Sequence, residues 1–251
     1  WKLHYIECNK SENGAFGEYG SLMHEILEKY TKEELSLFEL NQYYEKHFSD
    51  KIPHDFPPNK YVDIRQSYYD KGIEYLNNID LDLDGYEILG VEKEIHFKIE
   101  DKDFVGYIDL LVKDKETGEI IIIDHKSASI KILKNGSISK SDQKHFLEFR
   151  RQLYLYSIPI VEEYGSVSKL KWNMFKDQKW IEIPWKQEEY DEAIQWAKDT
   201  LKLIENESLW LPNQDYYYCN YLCGQRNNAC EFKPQPISKK NNDDEYYDPN
   251  E

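Results

Sequence analysis

Two aspartates and a lysine carry the densest chemistry in the chain. Gly106-Tyr107-Ile108-Asp109-Leu110-Leu111 leads through Lys115-Glu116-Thr117-Gly118 to Ile121-Ile122-Ile123-Asp124-His125-Lys126, two strand-like runs joined by a turn. A turn centred between Glu116 and Thr117 sets Asp109 directly opposite Asp124. Opposed residues on an antiparallel pair hold their Cβ atoms about 4.5–5.5 Å apart, which is unfavourable for like charges unless a cation lies between them. The two-residue period of a strand also puts Lys126 on the face of Asp124, and Ile123 and His125 on the other. Hard oxygen donors favour Mg²⁺ or Mn²⁺, which lowers the pKa of a bound water and neutralises charge on a phosphodiester under attack. A neighbouring lysine could orient that water or stabilise the transition state. The competing reading is a solvated strand rim on which Lys126 pairs with one aspartate.

The elements that must position these groups follow from periodicity. Leu22, Met23, Ile26 and Leu27 recur at helical spacing over residues 20–30, and further helices are predicted over about 31–47 and 61–78, separated by Pro53, Pro57 and Pro58. Strand character begins at Tyr86 with Ile88, Val91, Ile95, Phe97 and Ile99, and continues over 104–112 and 120–124. The Ser- and Lys-rich stretch 127–142 reads as a mobile loop able to cover a site. A long helix over 144–163, strands near 168–175 and 179–183, and a helix over 187–205 complete the pattern. The expectation is one α/β domain over 1–238 with a mixed central sheet and a helical front. An acidic, disordered tail is expected over 239–251, where five carboxylates lie between Asp243 and Glu251.

Composition sets bounds. With 48 Asp and Glu against 32 Lys and Arg, the net charge is −16, so a phosphate-binding surface must be a local basic patch on an acidic body. Arg150 and Arg151, with Lys131, Lys134, Lys140 and Lys144, are the candidates for backbone phosphates. Tyr216, Tyr217, Tyr218 and Tyr221 offer stacking faces for unpaired bases, or serve as packing and rim residues. No apolar run approaches a membrane span, and a cytoplasmic protein is expected. Four cysteines are too few for a disulfide scaffold, and their distribution, Cys8 alone against Cys219, Cys223 and Cys230 together, suits a metal site.

Gly106-Tyr107-Ile108-Asp109 followed by Asp124-His125-Lys126 resembles the PD-(D/E)XK nuclease superfamily, in its RecB-like branch, where the second acidic motif commonly reads Asp-x-Lys. Gly20-Ser21-Leu22-Met23-His24 is similar to that branch's upstream Gly-x-x-x-His helix, and Gln152-Leu153-Tyr154-Leu155-Tyr156 to its Gln-x-x-x-Tyr helix, in the same order. The resemblance, which covers about residues 20–156, implies a restriction-endonuclease-like core. It implies His24, Asp109, Asp124 and the His125 carbonyl as metal ligands, with Asp109, Asp124 and Lys126 catalytic. Gln152 and Tyr156, sharing one helix face, would orient Lys126 or contact the DNA strand.

Some members of the branch hold a 4Fe-4S cluster with one cysteine before the core and three after, a layout that Cys8, Cys219, Cys223 and Cys230 resemble. The spacing Cys-x₃-Cys-x₆-Cys departs from the branch's usual Cys-x₂-Cys-x₅-Cys, so Zn²⁺ stays open as the alternative. The implied activity is Mg²⁺- or Mn²⁺-dependent DNA hydrolysis, more exonuclease than endonuclease, in recombination, repair or CRISPR adaptation. A helicase, annealing protein or integrase is the class of partner implied. The rival readings are a weakly active or inactive DNA-binding scaffold subunit, and a hydrolase of another phosphate ester.

Overall fold

The computed structural model describes residues 2–81, 83–212, 215–227 and 230–232. The chain divides into two units, one of Ala15–Ser208 and one joining Trp1–Gly14 to Leu209–Glu251. Within the larger unit, helices α1 (Ala15–Thr31), α2 (Leu40–Lys51) and α3 (Ile64–Asn77) precede strands β1 (Tyr86–Ile99), β2 (Lys102–Asp114) and β3 (Ile120–Lys126). Helix α4 (Gln143–Tyr164), strands β4 (Lys169–Met174) and β5 (Lys179–Pro184), and helix α5 (Gln187–Asn206) follow.

Strand order in the sheet equals chain order, and only β3–β4 is parallel, because α4 carries the chain back across the sheet between them. Ile120, Ile121, Ile122 and Ile123 are all buried, as expected of a central strand covered on both faces. On one face Ile122, Leu170 and Trp172 pack with Leu153, Tyr154 and Ile158 of α4 and Ala193 and Ala197 of α5. On the other, Leu110, Val112, Ile121 and Ile123 form a smaller cluster with Tyr86. A third cluster joins Tyr19, Leu22, Met23, Ile26 and Leu27 of α1 to α2, α3 and Phe175.

Local signals explain the ends. Asp63 caps α3 by accepting the Gln66 N–H at 3.0 Å, and Gly165 ends α4 in the left-handed region at φ 83°. The second helix departs from the expected 31–47. It starts only at Leu40, because Glu39 turns its carboxylate back onto the Ser36 N–H and hydroxyl in a tight loop before it. The segment 127–142 is a small ordered hairpin, with Ile132 bridging Ile138 and Asp142 accepting the Lys131 N–H at 2.7 Å. Burial of Ile130 and Ser139 anchors it, where the serines and lysines suggested a loose loop.

In the smaller unit, Gln225 donates to the carbonyls of Asn9 and Lys10 at 3.2 and 3.1 Å, and the Glu12 N–H to the Gly224 carbonyl at 2.9 Å. Early and late parts of the chain are thereby tied, and Cys8, Cys219, Cys223 and Cys230 all belong to this unit. The expected tail, 239–251, lies outside the described residues. No helix among the described residues is long and apolar enough to cross a membrane.

Candidate active site

The β2–β3 ladder runs from Lys113↔Ile120 to Leu110↔Ile123, the register predicted from the turn, and stops one step before Asp109 and Asp124 would pair. Strand β3 stays paired with β4 as far as Lys126↔Met174, so β2 and β3 part company at the two aspartates. The His125 N–H, released from the ladder, donates to Asp109 Oδ2 at 2.6 Å. Separating the strands relieves the opposed carboxylates.

The other edge of β2 contributes a group that the sequence reading missed. Lys93↔Ile108 and Val91↔Leu110 flank the step of Glu92 and Asp109, where Glu92 adopts φ 49°. A non-glycine residue in the left-handed region inside a strand is a strained exception. His24 Nδ1, from α1, lies 3.9 Å from Glu92 Oε1 and 3.6 Å from Asp109 Oδ1. One ligand atom from each of His24, Glu92 and Asp109 lies within 4.8 Å of the others. The signal for Glu92 was present: a turn at Glu100 and Asp101 sets Glu92 across from Asp109 by the same counting that aligned the aspartates.

Asp124 is buried beside this group. Its Oδ1 accepts from Lys126 Nζ at 3.1 Å, while Oδ2, 2.9 Å from the ammonium, has no aligned donor. Lys126 also donates to Gln152 Oε1 at 2.9 Å and sits 5.1 Å from the centre of the Phe149 ring. Gln152 Nε2 in turn donates to the Tyr156 hydroxyl at 3.1 Å. A Cβ on Gly106 would come within 2.5 Å of the Tyr156 ring, so glycine in the Gly-Tyr-Ile-Asp run is what lets α4 bring Gln152 and Tyr156 this close to β2. The His125 ring points to the opposite face, 3.1 Å from Asn173 Nδ2, whose amide donates to the Tyr75 hydroxyl.

Electrostatics follow from the crowding. Burial opposes charge on His24, but the Asp109 and Glu92 carboxylates outweigh it and raise the ring to about 10. Asp109 is lowered, its burial overcome by His24 and the His125 N–H. Burial pushes Asp124 up to about 6 against the pull of Lys126, and holds His125 down at about 4. A groove of about 480 Å³ opens beside His24, lined by Gly17, Gly20, Ser21, Glu92 and Ser127.

The arginines expected to meet phosphate are engaged elsewhere. Arg150 pairs with Glu189 at 3.1 Å, and Arg151 with Glu192 while lying over Trp196, so both clamp α4 to α5. Lys131, Lys134, Lys140 and Lys144 are exposed. In the smaller unit Tyr216 and Tyr218 are exposed, and Tyr217 packs on Tyr221 with ring centres 5.3 Å apart.

The profile of the PD-(D/E)XK nuclease superfamily matches residues 1–234. The chain belongs to the PD-(D/E)XK nuclease superfamily. The chain is also similar to a solved structure of a candidate exonuclease from Eubacterium rectale, 11% identical with a TM-score of 0.45, over 84% of this chain and 82% of that one. No curated protein matches the chain. PD-(D/E)XK nucleases act on phosphodiester bonds with divalent metals, and the donor set here fits such an ion. It offers ligand atoms of His24, Glu92 and Asp109 within 4.8 Å of one another, and a buried Asp124 oxygen without an aligned donor.

Proposed function

We propose that this PD-(D/E)XK nuclease is a Mg²⁺- or Mn²⁺-dependent deoxyribonuclease that hydrolyses DNA from its ends. The observation that carries the reading is the convergence of His24, Glu92 and Asp109 on a point flanked by the Asp124–Lys126–Gln152 chain. When bound, the divalent ion supplies a water of lowered pKa and offsets phosphate charge. His24, Glu92, Asp109, Asp124 and the His125 carbonyl would hold it. Lys126, fixed between Asp124 and Gln152, donates a hydrogen bond to the attacking water or to a phosphoryl oxygen. Gln152 and Tyr156 keep that ammonium aimed. With both arginines paired to α5, the exposed lysines of 131–144 are the better phosphate contacts. A cytoplasmic setting in recombination, repair or CRISPR adaptation, beside a helicase, annealing protein or integrase, follows from the RecB-like resemblance.

The cysteines enter the same reading as ligands of a 4Fe-4S cluster. Burial and the neighbouring Cys223 and Cys230 raise the Cys219 thiol, a penalty that coordination of the thiolates removes. Anaerobically purified full chain is expected to absorb broadly near about 400 nm, and a colourless, zinc-containing preparation refutes the cluster.

Cleavage of end-labelled single-stranded and duplex DNA with Mg²⁺ or Mn²⁺ tests the central claim. Cleavage that is lost on chelation and in Asp124→Ala supports it. DNA binding without cleavage transfers the protein to the scaffold-subunit reading, and hydrolysis of small phosphate esters with indifference to DNA to the other-hydrolase reading.

A further inference from the structure

We propose that the cavity behind Gln152 and Tyr156 is a subsite for one unpaired nucleobase of the strand being cut, an inference that rests on the deoxyribonuclease reading. The cavity holds about 230 Å³ and is walled by Phe97, Phe104, Val105, Leu155 and Trp196, with Glu148, Gln152 and Tyr156 as its polar groups. That volume lies below the range of about 300–1,000 Å³ typical of drug-sized ligands, and suits a single flat ring system. Phe97 and Phe104 stack across β1 and β2 with ring centres 5.3 Å apart and planes 16° off parallel, which fixes one aromatic wall. Trp196, 37% exposed, is held in place by the Arg151 guanidinium 4.8 Å from its ring. An indole and a phenyl ring on a rigid frame are what base stacking requires.

Position identifies the occupant. Gln152 lines the cavity and also holds Lys126, so one side chain is shared by the subsite and the group aimed at the scissile phosphate. Whatever fills the cavity abuts the side chain that holds Lys126, and in a nucleic acid strand the groups that flank a phosphate are bases. The Tyr156 hydroxyl, already accepting from Gln152, keeps its own proton to donate. Glu148, with no hydrogen bond or ion pair among the described residues, is free to accept. A base presents both complements on its edge, and it can offer that edge only out of the duplex. The subsite therefore makes single strands and frayed ends the preferred substrates, and explains why Trp196 and Val105 stay partly bare at the surface.

The test is an abasic scan. Single-stranded oligonucleotides with one abasic position, moved stepwise along the strand, are cut by the full chain in Mn²⁺, and their binding is followed in parallel by fluorescence anisotropy in chelator. One position is expected to lower kcat/KM about tenfold, the effect of losing one stacked base. Trp196→Ala and Phe104→Ala should lower cleavage of the intact strand by the same factor and flatten the scan, while Trp196→Phe restores both. Unchanged melting temperatures separate this from loss of fold. A flat scan in cleavage and binding, or a scan unaltered by the variants, overturns the subsite. No cleavage of any DNA, with binding still dependent on one position, overturns the nuclease reading and keeps the subsite.

Discussion

The β2–β3 and β4–β5 ladders are both antiparallel pairs in one sheet, yet one opens and the other closes completely. From Lys169↔Pro184 to Met174↔Lys179 every step of β4–β5 is paired, and Lys171 faces Glu182 across it with 3.5 Å between their charges. At the corresponding place in β2–β3 two aspartates would face each other, and the ladder ends there. Opposite charges across a pair stabilise it by a few tenths to about 1 kcal/mol, and like charges reverse the sign. The lost backbone pairing is partly recovered in the His125 N–H bond to Asp109, beside the His24, Glu92 and Asp109 group that could hold a cation. Strand separation is thus written into the side chains rather than imposed by a bulge between β2 and β3.

Removing a carboxylate from the open ladder should have the largest effect. Asp124→Ala or Asp109→Ala is expected to lower DNA cleavage by at least about 10³-fold, consistent with loss of preorganised charge stabilisation. In melting experiments Mn²⁺ should raise the Tm of the wild type and not of either variant. A variant that keeps its metal-induced shift while losing cleavage would show that the open end of the ladder is not the cation site.

Gly106→Ala comes next. The added methyl meets a rigid ring, and overpacking of this kind costs about 1–3 kcal/mol. Displacing Tyr156 drags Gln152 from Lys126, so kcat/KM should fall by about 10- to 100-fold. Gly106→Ala/Tyr156→Ala, which removes the clash, should recover stability without recovering activity. Recovery of both would mean that the Gln152–Tyr156 pair is packing alone.

Proton linkage gives a smaller, graded effect. His24 rises to about 10 without metal, and a ligating imidazole must give up that proton, so Mn²⁺ binding should release a proton between about pH 7 and 10. The apparent affinity should then rise by up to about tenfold per pH unit, with buffer-dependent calorimetric enthalpies reporting the proton. In chelator two groups act oppositely on stability. His125, lowered from 6.5 to about 4, contributes stability that is complete above 6.5 and lost as pH falls toward 4. Asp124, raised from 3.8 to about 6, contributes stability that is complete below 3.8 and lost as pH rises toward 6. Asp124→Asn should therefore steepen the gain in stability between pH 4 and 6, and an unchanged slope in urea titrations would remove the opposition.

The smallest effect tests the comparison from its closed side. Lys171→Glu places two carboxylates across β4–β5, and should cost about 1 kcal/mol and speed amide exchange in β5. Cleavage should stay within about twofold. A ladder that shows no fraying would mean that opposed charges alone do not open a strand pair in this sheet.

Much of the site was legible because it obeys short-range rules. Turn position sets hairpin register, so the approach of Asp109 to Asp124 could be counted from Glu116 and Thr117, and the alternation of side chains gave Lys126 its face. Helical spacing likewise joined Gln152 to Tyr156. Counting failed where side-chain energies override backbone regularity. The ladder stops before its last pair, Glu92 enters through a left-handed kink, and both arginines turn to α5 carboxylates about 40 residues away in sequence. The amino-acid sequence by itself determined the groups and their register, since those depend on neighbours along the chain. Only the tertiary structure decided that Glu92 joins His24 and Asp109 and that Gly106 admits Tyr156, because charge and close packing act between elements that meet only once the chain has folded.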